Sequence, residues 1–82
     1  MSHWIRVATN VIDVPEWFYG PYPSATEAEQ ALKDGGWENY RLYFPVVGMC
    51  VIVQTAKIIE QKRRPVRYKG RTELPHRNMF KQ

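Results

Sequence analysis

The stretch Lys62-Arg63-Arg64-Pro65-Val66-Arg67-Tyr68-Lys69-Gly70-Arg71 places six cations and one aromatic ring within ten residues. A guanidinium group clamps phosphate through two parallel hydrogen bonds and stacks on bases, and a tyrosine ring offers a π-face. Lys62, Arg63, Arg64, Arg67, Tyr68, Lys69 and Arg71 therefore form a candidate site for an anionic partner, either nucleic acid or an acidic protein surface. The plain alternative is a solvated, solubilising tail. Residues 1–60 carry four Lys/Arg against seven Asp/Glu, a net of −3, whereas residues 61–82 carry eight against one, a net of +7. The overall +4 averages two unlike pieces, a mildly acidic body and a basic C-terminal tail.

Catalytic chemistry finds little support. Cys50 is the single cysteine, and its apolar neighbours Met49, Val51 and Ile52 favour a buried neutral thiol over a reactive thiolate. His3 and His76 stand near opposite ends with no carboxylate in sequence to orient them, and they read as exposed terminal histidines. Glu27 and Glu29 point apart if helical. Gly35-Gly36 closes a helix, where phosphate capture needs glycines to open one. Cys50, His3 and His76 lack the paired spacing of a zinc site. The expectation is a protein that is not an enzyme and uses no cofactor or metal.

Aromatic residues supply a second candidate surface. Nine of the eleven Trp, Tyr and Phe residues precede residue 45; each can bury about 150–250 Å², enough together for a core without disulfides. Trp17-Phe18-Tyr19 must send rings to both faces of a strand. With one helix to cover a sheet, the opposite face would expose Trp17, Tyr19, Arg41 and Tyr43. Such a face suits stacking of unpaired bases, a partner protein or homodimer, or coverage by the C-terminal segment.

The positioning elements follow from pattern. Trp4 to Val11 alternates, with Ile5, Val7, Thr9 and Val11 on one face and Trp4, Arg6, Ala8 and Asn10 on the other, as in a strand with one apolar side. Asp13-Val14-Pro15-Glu16 reads as a turn. Trp17-Phe18-Tyr19 forms a second strand that Gly20-Pro21-Tyr22-Pro23 should stop. Ser24 with Glu27 fits a capping box opening a helix. Ala25, Ala28 and Leu32 give that helix a small-residue stripe for close approach to a sheet, and Gly35 is the expected left-handed cap. Trp37 to Phe44 reads as a third strand with Tyr40, Leu42 and Phe44 on one side. Val46 to about Ile59 gives a fourth, with Met49 to Val53 buried on both faces. From Gln61 onward the chain lacks the apolar content to order itself alone. It is either a mobile arm or an extension laid over the sheet, with Tyr68, Leu74 and Phe80 as anchors.

The predicted architecture is a small α+β domain of ββαββ order over residues 1–60, one helix on a four-stranded antiparallel or mixed sheet, followed by a basic C-terminal extension over residues 61–82. Phe18-Tyr19-Gly20-Pro21-Tyr22-Pro23-Ser24 followed by Glu27-Ala28-Glu29-Gln30-Ala31-Leu32 resembles the strand–GP(F/Y)–helix segment of SPOR-type domains, which bind cell-wall glycan. The resemblance is confined to residues 18–32, which encode a turn and a helix cap. The remainder departs from that family, with no second helix between the third and fourth strands, so its function is not carried over. Neither a signal peptide nor an apolar run approaching the roughly 20 residues of a membrane span is visible, which leads to an expectation of a cytoplasmic protein with no membrane partner. The functional expectation is a non-enzymatic binding protein, nucleic-acid-associated through the basic tail without sequence-specific readout. The alternative is a small protein–protein interaction module or inhibitor, as a monomer or a homodimer, docking through its aromatic sheet face; no small-molecule substrate is identified.

Overall fold

The computed structural model describes residues 2–45 and 51–77. Alternation in the first segment produces β1 (Ser2–Thr9), which sits in the middle of the sheet between β2 (Trp17–Tyr22) and β4 (Val51–Gln61). The helix α1 (Ala25–Asp34) follows β2, and β3 (Arg41–Pro45) forms one edge against β4. A short strand β5 (Tyr68–Lys69) and a 3-10 turn (Arg71–Glu73) complete the order. The result is a five-stranded mixed sheet, β3-β4-β1-β2-β5, in which only β2 and β5 run parallel. The α+β class with one helix on the sheet is as expected. The strand number is five, not four, and ββαββ is not the element order, because the C-terminal segment adds a strand. The physical reason is the outer edge of β2: its unpaired groups take up Tyr68 and Lys69, and the Phe18 amide donates to the Arg67 carbonyl (2.9 Å).

The helix begins where its chemistry says. The Ser24 hydroxyl accepts from the Glu27 amide (3.2 Å), while the return bond of a capping box is absent among the described residues. At the other end, Gly36 donates to the Lys33 carbonyl and Trp37 to that of Leu32 (3.0 Å), a Schellman closure. The left-handed residue is Gly36 (φ 86°), not Gly35, which stays right-handed (φ −83°). The closure carries Trp37 into the core beside Leu32.

Three strands differ from expectation in their bounds. β1 runs from Ser2 and stops at Thr9, so Val11, expected on its apolar face, lies beyond it and is exposed. β2 continues through Pro21 to Tyr22, because the β1–β2 register shifts between His3 and Ile5 and Pro21 falls at that irregularity. Residues 37–40 do not extend β3. Glu38 and Arg41 exchange two backbone hydrogen bonds around Asn39 and Tyr40, both at positive φ (50° and 61°), a tight hairpin turn. Tyr40 is therefore exposed, while Leu42 and Phe44 point inward. The core joins Ile5 and Val7 of β1, Tyr19 and Tyr22 of β2, Ala28 and Leu32 of α1, Trp37, Leu42, Phe44 and Leu74. Each fully buried large apolar side chain contributes about 1.5–3 kcal/mol. Leu74 brings the C-terminal segment into that core from outside the body expected over residues 1–60. The expectations for Met49, Cys50, Met79 and Phe80 lie outside the described residues.

Candidate functional site

Direct cross-strand partners share a face of a sheet. Ile5 pairs with Tyr19 and Ile58, and Val7 with Trp17 and Ala56, so these residues face the helix. Arg6 pairs with Phe18 and Lys57, Arg41 with Thr55, and Tyr43 with Val53, all on the opposite, open face. Trp17 and Tyr19 therefore lie on one side of the sheet and Arg41 and Tyr43 on the other. The four do not make one surface. Tyr19 is core (5% exposed), and Trp17 is half-buried beneath the Lys69 ammonium, 4.6 Å from its ring centroid. The reason is β2's register, which turns Phe18 alone of the aromatic triplet to the open side. Tyr43 remains exposed there, beside Arg41.

After β4 the chain crosses the open face as a strap. Residues 62–68 lie beside Ser2, Trp4 and Phe18, with Pro65 buried. The strap then pairs with the β2 edge as β5 and passes to the helix side. There Leu74 enters the core, the Trp37 Nε1–H donates to the Pro75 carbonyl (2.8 Å), and the Arg77 amide donates to the Gly35 carbonyl (2.7 Å). Of the two arrangements open to this segment, residues 62–77 adopt the one laid over the sheet. Leu74 is an anchor as expected. Tyr68 meets Trp4 edge-on, with centroids 6.2 Å apart at 74°. Trp4, although on the open face, is only 3% exposed because the strap covers it.

Three of the strap's cations lie against rings, while Arg77 at its end meets the Glu38 carboxylate at 3.5 Å. The Arg64 guanidinium lies 4.3 Å over Tyr68, Lys69 lies over Trp17, and Arg71 stands 5.9 Å from the Tyr22 ring. Lys62, Arg63, Arg64 and Arg67 are exposed, and among the described residues none is within 4.0 Å of a carboxylate. Three further cations, Arg6, Arg41 and Lys57, extend the basic surface onto the strands. Among the described residues, Glu16, 3.7 Å from Arg6, is the one carboxylate paired with them. Sequence reasoning placed Arg6 on the polar side of its strand but missed it and Lys57 as site residues, because both sit in the net-acidic portion of the chain. The signal was the alternation itself, which separates them from that portion's acids.

No protein-family model, curated protein or solved structure matches this chain. The likeness of residues 18–32 to the SPOR segment thus rests on turn and cap chemistry alone.

The histidines are less exposed than expected. His3 Nε2 stands 3.0 Å from Glu60 Oε2, its cross-strand partner, and His76 is half-buried with its Cβ against Gly35. No cluster of three or more His, Cys, Asp or Glu residues fit to hold a metal occurs among the described residues. No helix of the described residues is long and apolar enough to cross a membrane. Burial pushes the Tyr19 and Tyr22 phenols above their ordinary range, with Arg71 pulling Tyr22 partly back. Tyr40 is raised by donating to Glu29 (2.6 Å).

Proposed function

We propose that this protein is a non-enzymatic binding protein that holds single-stranded nucleic acid through its phosphates, without sequence readout. The observation that carries this reading is that Arg6, Lys57 and Arg41 share the open face by register, and that Phe18, the partner of Arg6 on that face, lines one cleft with Arg67 of the exposed basic strap. An ordered sheet face that combines cations with the rings of Phe18 and Tyr43 suits a flexible strand whose bases are unpaired. Phosphate contacts of this kind give affinity without discrimination among bases.

The test is fluorescence anisotropy of a labelled single-stranded oligonucleotide across a salt series. Log affinity should fall linearly with log salt, and each phosphate-contacting cation removed from Arg63, Arg64 and Arg67 should reduce the slope by about 0.7. Binding that ignores salt, or none at low salt, contradicts the proposal.

A second reading has one observation in its favour: Tyr43 is 52% exposed beside Arg41 on the edge strand β3. Tyrosine and arginine together are common anchors of protein interfaces. In that case Tyr43→Ala abolishes partner or self-association, measured by sedimentation, while leaving the salt-dependent oligonucleotide signal absent from the start.

A further inference from the structure

At the end of the sheet where β1 begins and β4 finishes, the strap stands off the strands. It leaves a cleft of ≈ 400 Å³ bounded by Ser2, Trp4, Pro21, Lys62, Arg64 and Tyr68. We propose that this cleft receives one unpaired nucleotide of a single strand, its base stacked on the Arg64 guanidinium and its phosphate held by Lys62. The proposal rests on the nucleic-acid reading and gives it a location and a mode of grip.

The stack is built from the inside outward. Gly20 backs the Trp4 ring: a Cβ there would come within 3.1 Å of Trp4 Cε3. Trp4 in turn meets Tyr68 edge to face, and Tyr68 carries Arg64 at 4.3 Å on its ring. Arg64 is the exposed end of the series. A guanidinium plane fixed on one side by a tyrosine presents its other side to a base, and stacking on arginine planes is one way proteins hold unpaired bases. Much of the ordering of that long side chain is already accomplished by the fold, which favours binding.

Charge and shape agree with the assignment. The charged side chains lining the cleft are Lys62 and Arg64, both cationic. Glu73, three residues beyond Gly70, is engaged by the Gly70 amide at 3.1 Å. Gly70 itself lines the cleft and adds no side chain to it. The volume falls in the range of small-molecule sites, about 300–1,000 Å³. Three other clefts suit phosphate less. One of ≈ 530 Å³ beside Phe18 and Val66 has Glu16 in its wall, and those of ≈ 250 and ≈ 380 Å³ near Tyr40 both include Glu29.

The discriminating variant is Arg64→Lys in the full chain, which keeps the charge and removes the plane. The probes are a labelled oligothymidylate, the same strand with abasic sites, and a duplex. The intact single strand should bind R64K roughly tenfold more weakly than wild type, with an unchanged salt slope. The abasic strand and the duplex should bind both proteins alike. Titrating thymidine monophosphate should also shift the indole N–H resonance of Trp4, whose Nε1 is buried without an acceptor among the described residues. If R64K binds all three probes as wild type does and the Trp4 resonance stays fixed, the cleft assignment is overturned while salt-dependent binding still stands. If wild type shows no salt-dependent binding, both fall together.

Discussion

Arg6 and Lys57 face each other directly across the β1–β4 ladder, on the side of the sheet that the helix leaves open. Two like charges at directly opposed positions cost stability, and among the described residues Glu16 pairs with Arg6 while no carboxylate lies within 4.0 Å of Lys57. A repulsive pair at the centre of a sheet is a local conflict of the kind that functional surfaces retain. Lys57→Thr should raise stability by about 0.2–1 kcal/mol, seen as a higher urea midpoint at unchanged m-value. The same change should weaken oligonucleotide binding. A drop in stability instead would mean that the pair is not in conflict.

Among the described residues, Leu74 is the side chain that the strap supplies to the core cluster (6% exposed). Leu74→Ala should cost about 2–5 kcal/mol, measured by urea denaturation. Hydrogen exchange should show the Phe18 amide, which donates to the Arg67 carbonyl, losing protection as the β2 edge is released. Full protection of that amide in the variant would show that the strap is held without Leu74.

Gly36 holds φ at 86° and has no room for a side chain, since a Cβ there would sit 2.9 Å from the Cβ of Arg77. Gly36→Ala should destabilise by more than about 1 kcal/mol. Gly70→Ala is the control: its Cβ meets nothing, and its thermal midpoint should stay near that of wild type.

The buried phenols make alkaline stability a test of the packing. Tyr19 and Tyr22 both titrate above the ordinary range, chiefly through burial, so the folded state keeps protons that the unfolded state has already lost. Their contribution is complete below the unfolded value of about 10 and declines as pH rises beyond it. A thermal-melt series from pH 8 to 11 should show this fall, and Tyr22→Phe should make it shallower. At neutral pH the same variant should be near neutral or slightly stabilising, because the Tyr22 hydroxyl is buried without a hydrogen-bond partner among the described residues.

Local rules carried the sequence reading where a residue's own chemistry decides its place. Ser24 announces a helix start, paired glycines announce its end, and the alternation of Ile5 with Val7 and of Leu42 with Phe44 identifies the inward face. The rules failed where two distant segments compete for one position. Tyr40 has the spacing to join Leu42 and Phe44, but the Asn39-Tyr40 turn removes it, and only the hairpin's closure by Glu38 and Arg41 reveals this. Tyr19 was placed on an open face because the side of Trp17-Phe18-Tyr19 that meets the helix depends on register with β1, which one strand cannot declare. The basic segment was legible as a charge cluster. Its route was not, because Leu74 and Pro65 are single apolar residues whose burial depends on a cavity and an edge built by residues far upstream.

The closure of the core by Leu74 has a consequence for biosynthesis. A chain emerging from the ribosome presents all four long strands and the helix before residue 74 arrives, so its sheet can pair while the space beside Tyr19 and Trp37 is still unfilled. The same late segment bears the strap's cations. A nascent molecule therefore acquires the ordered cations of the strap and the Leu74 side chain of its core in one step.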